Sequence, residues 1–239
     1  MNNKEYVLNK ILQTETSNDP WKHLIIKDFL PKDLYDKIIN ETFVYVNKKE
    51  MKGTEGKGAR AYHVNVNKSI NVFPDESSEP YLTEYYNILM DEDVEKAIRD
   101  KVLLEGYHKN EPSVDMWASF DIQTSGFVYD EVHSDHETKM ITMLHYLTEN
   151  DDDESLGTLL YSPDIDGNKL SVERDSISCA PFISNCVLLF APCRKKGHKS
   201  NHSMMHKSDK TIFRKTLQTF WLRDEADWTS KKQSGRIWL

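Results

Sequence analysis

Two spacings of apolar residues divide this chain. Leu34, Tyr35, Ile38, Ile39 and Phe43 recur at the period of a helix that buries one stripe. Pro31 suits the first turn of that helix and closes the strand-like run Trp21-Lys22-His23-Leu24-Ile25-Ile26-Lys27-Asp28-Phe29-Leu30. Leu82, Tyr85, Tyr86, Leu89 and Met90 repeat the helical period. Val94, Ala97 and Ile98 carry it past the acidic break Asp91-Glu92-Asp93, and the helices should stop near residue 104. From Met116 the texture changes to short β-prone runs between turn residues, at 116–123, 127–133, 139–147, 157–161, 176–179, 186–190 and 211–222. That many short strands predict a sandwich or barrel. The residues before Trp21 read as a polar lead, and 47–60, with three glycines among many charges, as a mobile loop.

Composition narrows the picture. A length of 239 residues supports one sizeable core, so a single structural domain is expected: 1–111 as a helical and strand support, 112–222 as a β core and 223–239 as a tail. Lys and Arg number 31 against 39 Asp and Glu, and a net charge of −8 argues against a broad surface for nucleic acid. Without an apolar run of about 18 residues or a signal-like amino terminus, no membrane partner is expected and the protein is placed in the cytoplasm. Cys179, Cys186 and Cys193 lack a Cys-x-x-Cys knuckle and read as free thiols, and the acidic run 149–154 as a solvated turn.

Candidate chemistry begins at His133-Ser134-Asp135. On an extended segment residues two apart share a face, so imidazole and carboxylate can meet one metal ion. A second histidine would complete the two-histidine, one-carboxylate set that holds non-haem Fe(II) with positions left open. Downstream of the apolar run Asn185–Phe190, His198, His202 and His206 are all candidates. On the last strand Arg214, Thr216, Gln218 and Phe220 share a face. An inward guanidinium calls for an anion, and its fork matches a carboxylate, so a dicarboxylate anchored at its far end fits. Met140, Thr142, Leu144 and Tyr146 share a face of the 139–147 strand, which offers the Tyr146 hydroxyl to the same anion.

His133-Ser134-Asp135, the run Lys139 to Leu147, a downstream histidine and Arg214 on the last strand together resemble the Fe(II)/2-oxoglutarate-dependent dioxygenases. The likeness is to the prolyl-4-hydroxylase-like branch with its small phage and bacterial members. It spans roughly residues 112–222 in order, and Trp21 to Leu34 resembles the strand, Phe-Leu-Pro and helix of that branch. The resemblance implies a mainly β fold with flanking helices around a double-stranded β-helix, the jelly roll also found in cupins. It also implies hydroxylation of a peptidyl, prolyl-like or small-molecule substrate, coupled to conversion of 2-oxoglutarate and O2 to succinate and CO2, with ascorbate as reductant.

Position by position, the resemblance makes His133 and Asp135 metal ligands and Arg214 the partner of the far carboxylate of 2-oxoglutarate. It gives Tyr146 a hydroxyl contact to that carboxylate and adds Thr142 and Gln218 to the cosubstrate pocket. For the third ligand it favours His202 within Ser200-Asn201-His202-Ser203-Met204, with His206 as the alternative. His136 and His145 read as bystanders, Gln123 as a water-exposed rim residue or else a contact to the substrate or the 1-carboxylate, Tyr129 as open in the same way, and Trp117, Phe120, Phe220 and Trp221 as core. The competing reading is a non-catalytic cupin-like metal-binding module.

Overall fold

The computed structural model describes residues 1–48, 52–53, 59–67, 73–104, 113, 115–123, 131–136, 138–148, 153–172, 174–204 and 213–223. The helices are α1 (Asn3–Gln13), α2 (Lys32–Lys48), α3 (Pro80–Leu89) and α4 (Glu92–Val102). The strands are β1 (His23–Ile26), β2 (Lys52–Gly53), β3 (Ala59–Asn67), β4 (Asp115–Gln123), β5 (Lys139–Tyr146), β6 (Thr158–Tyr161), β7 (Ser176–Ala180), β8 (Cys186–Phe190), β9 (His202–Met204) and β10 (Arg214–Leu222).

Two antiparallel sheets result. The larger runs β1-β8-β5-β10-β4-β3-β2 and the smaller β7-β6-β9. A bridge between His133 and His202 ties the segment 131–136 to the smaller sheet beside β9. From β4 onward the chain therefore crosses repeatedly from one sheet to the other, which is the winding of a double-stranded β-helix. The fold is mainly β with flanking helices, as the sequence implied.

The helices cover the outer face of the larger sheet. Leu34, Tyr35, Ile38 and Ile39 of α2, five residues of α3 including Tyr85 and Leu89, and Val94, Ala97 and Ile98 of α4 are buried in one cluster with Phe120, Met143, Leu189 and Trp221. A second cluster fills the space between the sheets, with Trp21, Leu144, Tyr146, Leu160, Phe182 and Leu188 among its members. No disulfide joins Cys179, Cys186 or Cys193.

Three expectations require correction. The polar lead is helix α1, closed by a capping box in which Asn2 and Glu5 each bond the other's backbone N–H, and it buries only Val7 and Ile11. The loop expected over 47–60 holds β2 and the start of β3, because Ala59–Asn67 pairs along β4 and widens the larger sheet. Met140 does not share the inner face with Thr142, because pairing of β5 with β10 shifts register at Trp221/Leu222. Met140 joins Ile141 and Met143 in the helix-side cluster, and Lys139 turns inward instead. Residues 54–58, 127–130, 149–152, 205–212 and 224–239 lie outside the described residues, and with them parts of the predicted loop, of two strands, of the acidic run and of the tail.

Candidate active site

The larger sheet is inverted along β4 and β10. Met116, Ala118, Phe120, Ile122, Leu217 and Trp221 face the helices, whereas Ser119, Asp121, Gln123, Arg214, Thr216 and Gln218 face the interior of the jelly roll, all buried. Buried polar groups are costly unless hydrogen-bonded, so an interior lined this way points to a polar ligand. Arg214, 1% exposed, donates from Nε to the Leu156 carbonyl at 2.7 Å. Its two terminal nitrogens reach Gln123 Oε1 at 3.3 Å, Thr216 Oγ1 at 3.2 Å and Thr158 Oγ1 at 3.4 Å. Gln123 and Gln218 both donate to Asp121 Oδ2, at 2.6 and 2.8 Å. The Ser119 hydroxyl is buried with no hydrogen-bond partner among the described residues. An orphaned donor facing that interior is what a bound polar ligand would satisfy.

At the other end of the same interior His133, Asp135 and His202 converge, with one ligand atom from each lying within 4.8 Å of the others. His133 and His202 exchange backbone hydrogen bonds at 3.0 and 2.8 Å, and their rings lie 4.5 Å apart. Nδ1 of His202 is 2.8 Å from the Ser200 carbonyl, and Nδ1 of His133 is 3.4 Å from that of Glu131. A carbonyl only accepts, so the ring proton sits on Nδ1 and each Nε2 presents a lone pair. Burial and the neighbouring His202 push His133 down to about 4, and burial lowers His202 as well, so both rings are neutral near pH 7. Burial alone would raise the Asp135 carboxyl, but Lys139, His202 and His133 together hold it well below the usual carboxylate range. Two neutral imidazoles and a carboxylate fit a divalent ion of the Fe(II) type.

Neighbouring groups fix these ligands. Lys139 Nζ lies 2.7 Å from Asp135 Oδ1, and the Thr142 hydroxyl donates to Oδ2 at 2.7 Å. Arg194 donates to the carbonyls of Asp135 and Ser134 at 3.2 and 3.4 Å. Asn201 accepts from the Ser134 hydroxyl, donates to the Ser162 and Ile165 carbonyls, and offers its own carbonyl to the Trp21 indole N–H. Gly167 must be glycine, because a Cβ there would stand 2.2 Å from the Val132 carbonyl, beside the ligand segment.

The structure thus brings His133, Asp135 and His202 together, and it leaves His198 exposed on a turn. His206 and Tyr129 lie outside the described residues. The Tyr146 hydroxyl donates to Thr158 Oγ1 at 2.8 Å, its ring lies 5.3 Å from the Arg214 guanidinium, and burial raises its pKa. Gln123 is not a water-exposed rim residue. Its register opposite Arg214 seals it inside. His145 faces the helices between Tyr85 and Asn185, and burial pushes it down to about 3. Phe120 and Trp221 lie in the helix-side core, but Trp117 and Phe220 stack on the inner face with ring centroids 5.4 Å apart. Sequence reasoning gave no role to Lys139 or Asn201, and it took Arg194 only as part of the basic stretch 194–199, a lid or a collar for an anionic substrate. Only the adjacency of Asn201 to His202 offered a signal.

No protein-family model matches the sequence, and no curated protein matches it. Solved structures do. A prolyl-4-hydroxylase from Pseudomonas putida superposes with a TM-score of 0.52 at 16% identity, covering 92% of this chain and 99% of its own. A prolyl hydroxylase from Trichoplax adhaerens, in complex with a hypoxia inducible factor peptide fragment, gives 0.57 at 14% identity over 95% and 92%. The dioxygenase for auxin oxidation 1 from Arabidopsis thaliana, in a binary complex with 2-oxoglutarate, gives 0.53 at 11% identity over 95% and 91%. The chain therefore has the jelly-roll fold shared by prolyl hydroxylases and related 2-oxoglutarate-dependent oxygenases.

Proposed function

We propose that this chain is an Fe(II)- and 2-oxoglutarate-dependent dioxygenase that hydroxylates a peptidyl, prolyl-like or small-molecule substrate and releases succinate and CO2. The observation that carries the reading is the pairing, across one polar interior, of the His133, Asp135 and His202 cluster with the buried fork of Arg214. His133, Asp135 and His202 would hold the metal through two Nε2 atoms and one carboxylate oxygen. Iron bound there supplies the activation of O2 that couples decarboxylation of 2-oxoglutarate to substrate oxidation. Arg214 would take the far carboxylate bidentately, joined by the hydroxyls of Tyr146, Thr158 and Thr216. Gln218 would line the stretch between the two ends. Thr142, already bonded to Asp135, would serve the pocket by orienting that ligand. The stacked Trp117 and Phe220 offer an apolar wall near Lys139, suited to a prolyl-like ring. Ascorbate would keep the metal ferrous, and a cytoplasmic setting accords with three cysteines that form no disulfide. Among the described residues no helix is long and apolar enough to cross a membrane.

Anaerobic addition of Fe(II) and then 2-oxoglutarate should give a weak visible charge-transfer band, and aerobic incubation should release succinate slowly. A non-catalytic cupin-like module would give neither. Succinate formation unchanged in Asp135→Ala would refute the reading.

A further inference from the structure

We propose that the rim at the metal end of the jelly roll docks an acidic peptide segment of the substrate, an assignment that rests on the oxygenase reading above. Two loops, with described residues 162–172, 174–175 and 191–201, form this rim. They emerge at one end because β6 runs antiparallel to β9, with Leu160 opposite His202. The first is pressed against the ligand segment at Gly167, and the second is pinned to it by Arg194. Asn201 and a Lys199–Asp166 ion pair join the two loops to each other. The charges they carry are therefore held beside His133 and Asp135.

Their charge is opposite to that of the whole chain. By sequence the two loops hold Lys169, Arg174, Arg194, Lys195, Lys196 and Lys199 against Asp164, Asp166, Glu173 and Asp175, six cations to four carboxylates, in a protein of net charge −8. Lys195, Lys196 and Lys169 are exposed, and Asp166 is the shared focus of Lys199, Lys169 and Lys196, which hold its carboxyl below the usual range. Ile165, 43% exposed, adds an apolar contact among them. The Arg194 fork, which would suit a phosphate, is turned to backbone carbonyls, leaving the exposed Arg174 and four separate ammonium groups along the rim. Such spaced point charges match carboxylates along an extended peptide better than one compact phosphate.

The test uses the full chain with Mn(II) and a fluorescein-labelled peptide of glutamates around one central proline. An otherwise identical glutamine peptide and an oligonucleotide of equal charge serve as comparisons. The glutamate peptide should bind, weaken about tenfold between low and moderate salt, and outcompete both comparisons. Reversal of the exposed pair, Lys195→Glu with Lys196→Glu, should weaken it by about tenfold or more while the band formed with Fe(II) and 2-oxoglutarate is unchanged. Equal binding of the glutamine peptide, tighter binding of the oligonucleotide, or indifference to the reversal would overturn the proposal. Loss of the band in the unaltered protein would instead overturn the oxygenase reading and leave the docking measurement standing by itself.

Discussion

Lys139 Nζ lies 2.7 Å from Asp135 Oδ1 and 3.7 Å from the centre of the Phe220 ring, so a nearly buried ammonium stands against the one carboxylate of the metal cluster. The β5/β10 register shift puts it there. An acid whose folded pKa is depressed contributes stability that is present above its unfolded value, about 3.9, and lost as pH falls towards the folded value. Lys139→Met should remove most of this, costing about 3 kcal/mol in the metal-free protein at pH 7. Saturating Mn(II) should recover much of the loss, because it supplies the missing positive charge. Chemical denaturation with and without the ion measures both.

Thr142→Val keeps the side-chain shape and deletes the bond to Asp135 Oδ2. Metal affinity should fall by about tenfold, as for other groups that orient a ligand, with little change in thermal stability. Competition against a fluorescent chelator reads this out.

Arg214→Lys retains the charge and loses the fork. Half-saturation by 2-oxoglutarate should rise by about a hundredfold, some 2.7 kcal/mol, while the Mn(II) affinity stays within about twofold. Equal losses in both titrations would contradict the division of the pocket into two ends.

The lowered histidines set the pH response. A metal binds neutral imidazole, and His133 stays neutral down to about 4, so Mn(II) affinity should hold nearly level from pH 8 to about 5 and drop steeply below. The metal-free protein behaves differently. Its unfolded chain takes up protons on histidine near 6.5 while the folded one refuses them, so stability should decline as pH falls from about 6.5 towards 4. His133, His145 and His202 all contribute with that sign. Urea midpoints across this range would show it.

The jelly-roll strands β4, β5, β8 and β10 were legible because their apolar runs are bounded by turn residues, and α2 because Pro31 and a regular stripe mark it. Helix α1 was hidden by its polarity, since two buried side chains leave almost no stripe. Strand β3 follows a glycine-rich run, and the alternation of Tyr62, Val64 and Val66 was outweighed by those glycines. His133, Asp135 and Arg214 could be singled out by local pattern. Lys139 and Gln123 could not, because a one-residue bulge and a pairing between strands 91 residues apart decide which way they face. The choice among the downstream histidines also depends on long-range pairing, which spacing from Arg214 does not encode.

The reciprocal main-chain bonds between His133 and His202 have a structural consequence. Because the two ligand residues are clasped main chain to main chain, their spacing does not depend on how much chain separates His202 from Arg214. A longer or shorter connection there would leave the clasp between the two ligands unchanged.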